Sequence, residues 1–310
     1  MSEPAWRGRT VHHLVAAALI FVSACGEPPG TADESHLDPP AIGVEGATPG
    51  TDPFPTEVVD QADRVVRFEE PPLRIVSLVP SATEILVALG QTYRLVGRTD
   101  HDRTGELAHL PSVGGGLEPS LERLVALEPD LVIRFHGPSD PVTPSSLDAR
   151  GVPHLAVRPD RIDDVRRLVS SLGRVVGVPE RADSLLTRMD RELDAVARDV
   201  EGLPQPTVAF LLGGNPPLVA GAGTFVHELL ELAGGTNILA DAGELYAPVS
   251  VEEIILREPD LLLVSEGGSI PPALGGIPSR TVSSEVEIPG VHMSHSAAEL
   301  ARALHPERAP

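Results

Sequence analysis

Apolar residues recur at intervals of three and four through Val178, Ala182, Leu185, Leu186, Met189, Leu193, Val196, Ala197 and Val200. That spacing is the period of one helix face. Pro179 suits a first turn, where its missing N–H costs nothing. Gly202 and Pro204 stop the pattern. The stretch 178–201 therefore predicts one long helix of roughly 36 Å at 1.5 Å per residue. The period changes on both sides of it. Val58 to Phe68 alternates about a polar centre, Asp60 to Arg64, and predicts a hairpin. Ile75 to Val79 is apolar on both faces and predicts a buried parallel strand. Further strands are expected at 94–97, 130–134 and 154–157, with helices at 81–90, 121–127 and 163–176. In the helix at 81–90, Ser81 and Glu84 have the spacing of a capping box. Beyond the long helix, strands are expected at 207–212, 260–264 and 280–283, and helices at 225–233, 250–257 and 296–304. Strands alternating with helices predict parallel sheets covered on their faces.

The segments flanking the long helix resemble each other. Ser120 to Ile133 and Ser250 to Leu263 share Ser, Glu, Glu, Pro, Asp and Leu in register. Glu84 to Gly90 and Glu228 to Gly234 form a second pair, and the runs 74–78 and 207–211 a looser third. The three pairs keep the same order. This predicts a duplicated α/β lobe, two copies joined by one long helix, rather than a solenoid.

The chain has 310 residues, enough for two domains with cores of their own. Its net charge is −21, and all of its basic residues are arginine, which argues against nucleic-acid binding. Aromatic residues are 3% of the chain, so each one near a cleft carries weight. Cys25 is the single cysteine, so no internal disulfide is possible. It follows Arg7 and Arg9, an apolar run from Leu14 to Val22, and Ser23-Ala24. The run suits a signal-peptide core and is too short to span a membrane. With Cys25 it resembles the lipobox of bacterial lipoproteins, in which the cysteine becomes the lipidated first residue. The stretch that follows is rich in proline, glycine and acids and predicts a tether. The expected organisation is a signal peptide at 1–24, a tether at 25–56, and an N-terminal lobe at 57–177. A linking helix at 178–202, a C-terminal lobe at 203–305 and a tail at 306–310 follow.

Open α/β sheets bind ligands beyond the carboxyl ends of their strands, so two facing lobes make a shared cleft. Several residues fall at such ends. Ser81 is either a plain helix cap or a ligand contact at a helix N-terminus. Asp100 and His101 follow the second strand of the first sheet, and Phe135 and His136 the third. Asn215 follows the strand expected at 207–212, and Glu266 follows the one at 260–264. His101, His136 and Glu266 form an alternative set of N and O ligands for a bare metal ion. No Gly-x-Ser-x-Gly elbow, Gly-Lys-Ser or Gly-Lys-Thr phosphate loop, or His-Glu-x-x-His motif is present. The expectation is a binding protein without intrinsic cofactor, not an enzyme. A secreted chelatase-like enzyme is a remote alternative, because the fold alone does not exclude catalysis.

The run from Arg74 to Gly90 carries a resemblance, as do Leu110 to Gly115, Leu121 to Val132, Gly214-Asn215-Pro216-Pro217 and Gly234 to Asn237. Over roughly 58–305, the chain resembles the substrate-binding lipoproteins of ABC importers for cobalamin, haem and ferric siderophores. Ser-Ala-Thr-Glu-Ile and Asn-Pro-Pro look most like the cobalamin branch. The resemblance implies two Rossmann-like lobes bridged by one rigid helix, with the ligand clamped between them. The ligand it implies is a corrinoid, with haem, a ferric siderophore or a bare metal ion as the alternative. It implies that Tyr246 presents its ring to a flat macrocycle. It also implies that Glu122 and Glu252, one position in two copies, dock the importer's membrane subunits. Glutamate in a first helical turn is also favoured by the helix dipole. His101 and a glycine near 113–116 stand where the cobalamin branch often has aromatics. His292 and His295 stand where the family has an arginine-containing stretch. The protein is expected to act as a monomer, anchored outside the cytoplasm through Cys25.

Overall fold

The structure is a computed structural model, and it describes residues 54–102, 105–138, 140 and 142–308. Cys25, the signal sequence and most of the tether lie outside the described residues. No helix among the described residues is long and apolar enough to cross a membrane.

The chain starts with the hairpin, β1 (Thr56–Val59) and β2 (Val65–Phe68), paired antiparallel. Its turn has no glycine; Asp63 takes the left-handed conformation, with φ 57°. Asp60 organises that turn. Its carboxylate accepts from the backbone N–H of Ala62 at 2.9 Å and of Arg64 at 3.0 Å, and from the Arg64 guanidinium at 2.7 Å. It also accepts from Ala156 N–H at 3.1 Å, which ties the hairpin to the first sheet.

That sheet is fully parallel, ordered β4-β3-β5-β6, from β3 (Ile75–Ser77), β4 (Leu95–Gly97), β5 (Leu131–Phe135) and β6 (His154–Val157). Strand alternation divides its side chains between two layers. Ile75, Leu131 and Ile133 face one apolar cluster, while Val76 and Val132 face another with Leu78, Val113, Leu124 and Leu147. Helices α1 (Pro80–Ala88), α2 (Leu121–Ala126), α3 (Thr143–Asp148) and α4 (Ile162–Val175) complete the lobe. α1 begins one residue earlier than expected, with Val79 as N-cap and Pro80 in the first turn, so the Ser81–Glu84 capping box does not form. Ser77 serves the helix entry instead: its hydroxyl donates to Val79 O at 3.0 Å.

The long helix is α5 (Pro179–Asp199). Ala182, Leu185, Met189, Leu193 and Val196 are its buried stripe. It packs on α4 in the first lobe and on α8 (Met293–Leu304) in the second. At the α4 crossing, a Cβ on Gly173 would fall 2.4 Å from Ala182 Cβ, so the Ala182 methyl packs directly on the Gly173 backbone there.

The second sheet runs β10-β8-β7-β11-β12, with β9 beside the start of β7. Its strands are β7 (Thr207–Leu211), β8 (Leu218–Ala220), β9 (Thr236–Asn237), β10 (Tyr246–Pro248), β11 (Leu261–Ser265) and β12 (Ser279–Val282). β7, β11 and β12 are parallel, as expected, while β8 and β10 add an antiparallel edge. Both added strands are three residues long, too short to carry a period in sequence. The helices α6 (Phe225–Leu232) and α7 (Val251–Leu256) flank them.

The repeat read from sequence is structural. α2 and α7 are both followed by a left-handed glutamate, Glu128 at φ 47° and Glu258 at φ 48°. The next aspartate in each copy holds the start of a central strand. Asp130 accepts from Leu73 and Arg74 N–H at 2.7 and 2.8 Å, and Asp260 accepts from Thr207 N–H at 2.8 Å.

Burial works against ionisation of Asp60, but hydrogen bonds from Arg64 and Ala156 outweigh it and hold the carboxyl below its ordinary range. Asp60→Ala leaves these donors without their acceptor, so it should cost roughly 3 kcal/mol. Urea unfolding at pH 7 measures this. The difference from wild type should shrink as pH falls through the folded pKa, where Asp60 protonates in the native protein as well.

Candidate functional site

Loops at the carboxyl ends of β3, β4 and β5 enclose a pocket of about 620 Å³. Leu78, Pro80, His101, Leu117, Glu118 and Phe135 line it. Gly116 lines it too, and a Cβ there would fall 2.3 Å from the Leu78 carbonyl oxygen. An aromatic cannot replace that glycine without moving the strand end, which accounts for the glycine at this place.

A second, more polar pocket of about 610 Å³ is lined by His136, Arg158 and Asp160 at the strand ends, by hairpin residues 59–61 and 63, by Asp164 and Arg167 of α4, and by Leu245 of the second lobe. The Arg158 guanidinium lies 5.8 Å from the centre of the Phe135 ring and connects the two pockets. It also pairs with Asp160 at 2.6 Å. Burial, more than any other influence, pushes the Asp160 carboxyl up, against the pull of Arg158. Tyr246, on the edge strand β10, is 37% exposed. Burial first, then the negative charge of Asp160 and Glu287, pushes its phenol up. The field of Asp160 and Arg158 thus reaches Tyr246 across the lobes. Glu287 is held by the Ser265 hydroxyl at the end of β11.

The predicted site residues divide into groups. His101 and Phe135 line the first pocket and His136 the second. Thr99 positions His101 by accepting its backbone N–H at 3.2 Å, and Asp102 in turn accepts from the Thr99 hydroxyl at 2.8 Å. Asp100 is committed elsewhere, to the Ser112 hydroxyl at 2.6 Å. Ser81 is 3% exposed and lines neither pocket. Asn215 and Glu266 are exposed on loops after β7 and β11, and line neither pocket. His292 and His295 are exposed at the start of α8. Among the described residues no group of three or more His, Cys, Asp or Glu could hold a metal ion, so His101, His136 and Glu266 are not gathered into one.

Arg158, Asp160 and Glu118 were not singled out from sequence. The signal for the first two was available: they follow the fourth strand of a parallel sheet, as the strand-end rule requires. A third groove, about 360 Å³ between the hairpin and α4, holds none of the cleft's aromatic or histidine side chains.

Glu122 and Glu252 occupy matching exposed places in the first turns of α2 and α7. Ser120 and Ser250 cap those helices, accepting from Arg123 N–H at 3.4 Å and Glu253 N–H at 3.1 Å. The Glu253 side chain turns to Arg257 at 2.8 Å, so it does not complete a capping box. Among the described residues Glu252 has no such partner.

Residues 75–277 match the family described as periplasmic binding protein. A vitamin B12-binding protein of Yersinia pestis (strain Pestoides F) is 31% identical over 194 residues, 62% of this chain and 69% of that protein. Among solved structures, the apo periplasmic heme-binding protein RhuT from Roseiflexus sp. RS-1 aligns with TM-score 0.66 and 30% identity, over 75% of this chain and 98% of that one. The periplasmic vitamin B12 binding protein of Vibrio cholerae aligns with TM-score 0.66 and 21% identity, over 77% and 99%, and speaks to the fold. Two similar α/β lobes on one long helix, a cleft at their strand ends and a family match across both lobes lead to one assignment: the chain belongs to the periplasmic binding protein family.

Proposed function

We propose that this protein is a lipoprotein, anchored outside the cytoplasm through Cys25, that captures a corrinoid in the cleft and hands it to an ABC importer. One observation carries the reading. Arg158 lies 5.8 Å from the Phe135 ring and pairs with Asp160 in the first lobe, and the charges of that pair act on Tyr246 of the second. An aromatic ring from each lobe near one charged pair suits a broad ligand with a polar rim. His101 and His136 supply further donors or acceptors. The family match and the binding-protein relatives support binding rather than turnover.

A second reading has its own support. The aligned protein with 30% identity is a heme-binding protein, so haem is the competing ligand. The test uses the Cys25→Ser chain, expected to leave the membrane fraction as a soluble, ligand-competent protein. It is titrated with cyanocobalamin, haem and a ferric hydroxamate, followed by visible absorbance and calorimetry. A one-to-one complex with the corrinoid is expected; binding of haem alone would replace the proposed ligand. Retention of the Cys25→Ser chain in the membrane fraction would refute the lipid anchor.

Tyr246→Ala should weaken binding of the ligand so identified by roughly 1–3 kcal/mol if the ring stacks on it. An unchanged dissociation constant, with circular dichroism showing an intact fold, removes Tyr246 from the site.

Glu122 and Glu252 are proposed as the two contacts with the importer's membrane subunits. The double reversal Glu122→Arg with Glu252→Arg should abolish uptake while ligand affinity stays near wild type, because like charges then face each other. Purely structural roles predict normal uptake with a modestly lower melting temperature. Uptake, affinity and melting measured on one double variant separate the two.

A further inference from the structure

Glu84 and Glu228 are the same position in the two copies of the repeat, and each reaches out of its own lobe. Glu228, on α6, accepts from Ile162 N–H at 2.8 Å and lies 3.1 Å from the Arg161 guanidinium, both at the start of α4. Glu84, on α1, points the other way. Its Oε2 rests on Gly290 of the second lobe, where a Cβ would fall 2.7 Å from it.

The two contacts differ in charge. Glu228 meets a cation and a backbone donor. Glu84 meets neither: among the described residues it has no ion pair and no hydrogen bond. The charges facing it are Glu285, on the helical turn Ser284–Glu287, and Asp102, in the loop after β4. On α4, which also packs against α1, Arg166 is committed to Asp163 and Asp190, and Arg167 to Asp164. Arg181 on α5 donates to Leu89 O at the end of α1. β3 carries no ionisable group. Burial, then Glu285 and Asp102, pushes the Glu84 carboxyl up from 4.5 to about 7.

We propose that Glu84 is a proton-linked latch between the lobes: its neutral carboxyl seats on Gly290 and permits their approach, and its ionisation opposes that approach. This stands independently of which ligand the cleft takes. A small rotation that lifts the carboxyl off Gly290 returns it toward its ordinary 4.5; seated there it is pushed up to about 7. Between those values, closure takes up a proton. Acid therefore favours closure, rising pH opposes it, and the dependence flattens above about 7. A ligand that binds the closed form must lose affinity over the same interval and be released more readily at the alkaline end.

The test reads the lobes directly, without ligand. The full chain carries Cys25→Ser with spin labels at Ala126→Cys and Leu256→Cys, exposed and equivalent positions at the ends of α2 and α7. Inter-label distances are measured from pH 5 to 8.5. In the parent the distribution should shift as pH rises through the interval between 4.5 and about 7 and level off above about 7. Glu84→Gln should hold the low-pH distribution throughout, and Glu285→Gln should make the shift level off at a lower pH. A distribution that ignores pH, or one that shifts identically in the parent and in Glu84→Gln, overturns the proposal. Should Glu84→Gln fail to fold, Glu285→Gln decides by itself: a shift that levels off at the same pH as in the parent contradicts the latch.

Discussion

One continuous apolar seam runs through both lobes, and α5 is its spine. It begins at Ile75 and Ile133 in the first sheet and passes Val165 and Leu172 of α4 to Leu185, Met189 and Leu193 of α5. From there it continues to Leu229, Leu230 and Leu300 in the second lobe. Each such side chain contributes about 1.5–3 kcal/mol when fully buried. Splitting the lobes apart would expose much of this seam, so the chain resists wide opening. Motion is left to small rotations about the helix, and the cleft is nearly preformed. That suits capture of a rigid ligand, since little ordering remains to be done on binding.

The duplication explains why one cleft has two chemical characters. Each copy repeats a capped short helix, a left-handed glutamate and an aspartate that holds a strand start. These parts set the backbone, and they are alike in both lobes. The parts that face the cleft are not. The first lobe offers His101, Phe135 and the Arg158–Asp160 pair; the second offers Tyr246 from an antiparallel edge strand absent from the first. On the proposed reading, asymmetry at the strand ends of a symmetric frame suits a ligand whose two faces differ.

The long helix, the parallel strands and the repeat could be read from sequence because each rests on a local period or a local match. The stripe of α5 was visible as Ala182, Leu185, Met189, Leu193 and Val196. What escaped was set by distant contacts. Ser81 has cap chemistry, but Pro80 fixes φ one residue earlier and takes the first turn. The hairpin turn lacks glycine because Asp60 gathers three N–H groups and a guanidinium, one of those N–H groups from β6. β8 and β10 are too short for a period, and Arg158 becomes a site residue only when the sheet brings it beside Phe135. Asp100 shows the converse: it stands at a strand end, yet Ser112 takes its carboxylate.

Both lobes are expected to grip one ligand while the helix between them stays as it is. Hydrogen–deuterium exchange on the full chain, with and without the ligand found by titration, tests this most directly. Protection is predicted at 78–80, 115–118 and 135–137 in the first lobe and at 245–247 in the second, with exchange along 182–196 unchanged. Protection confined to one lobe, or a large change along the helix, would contradict it.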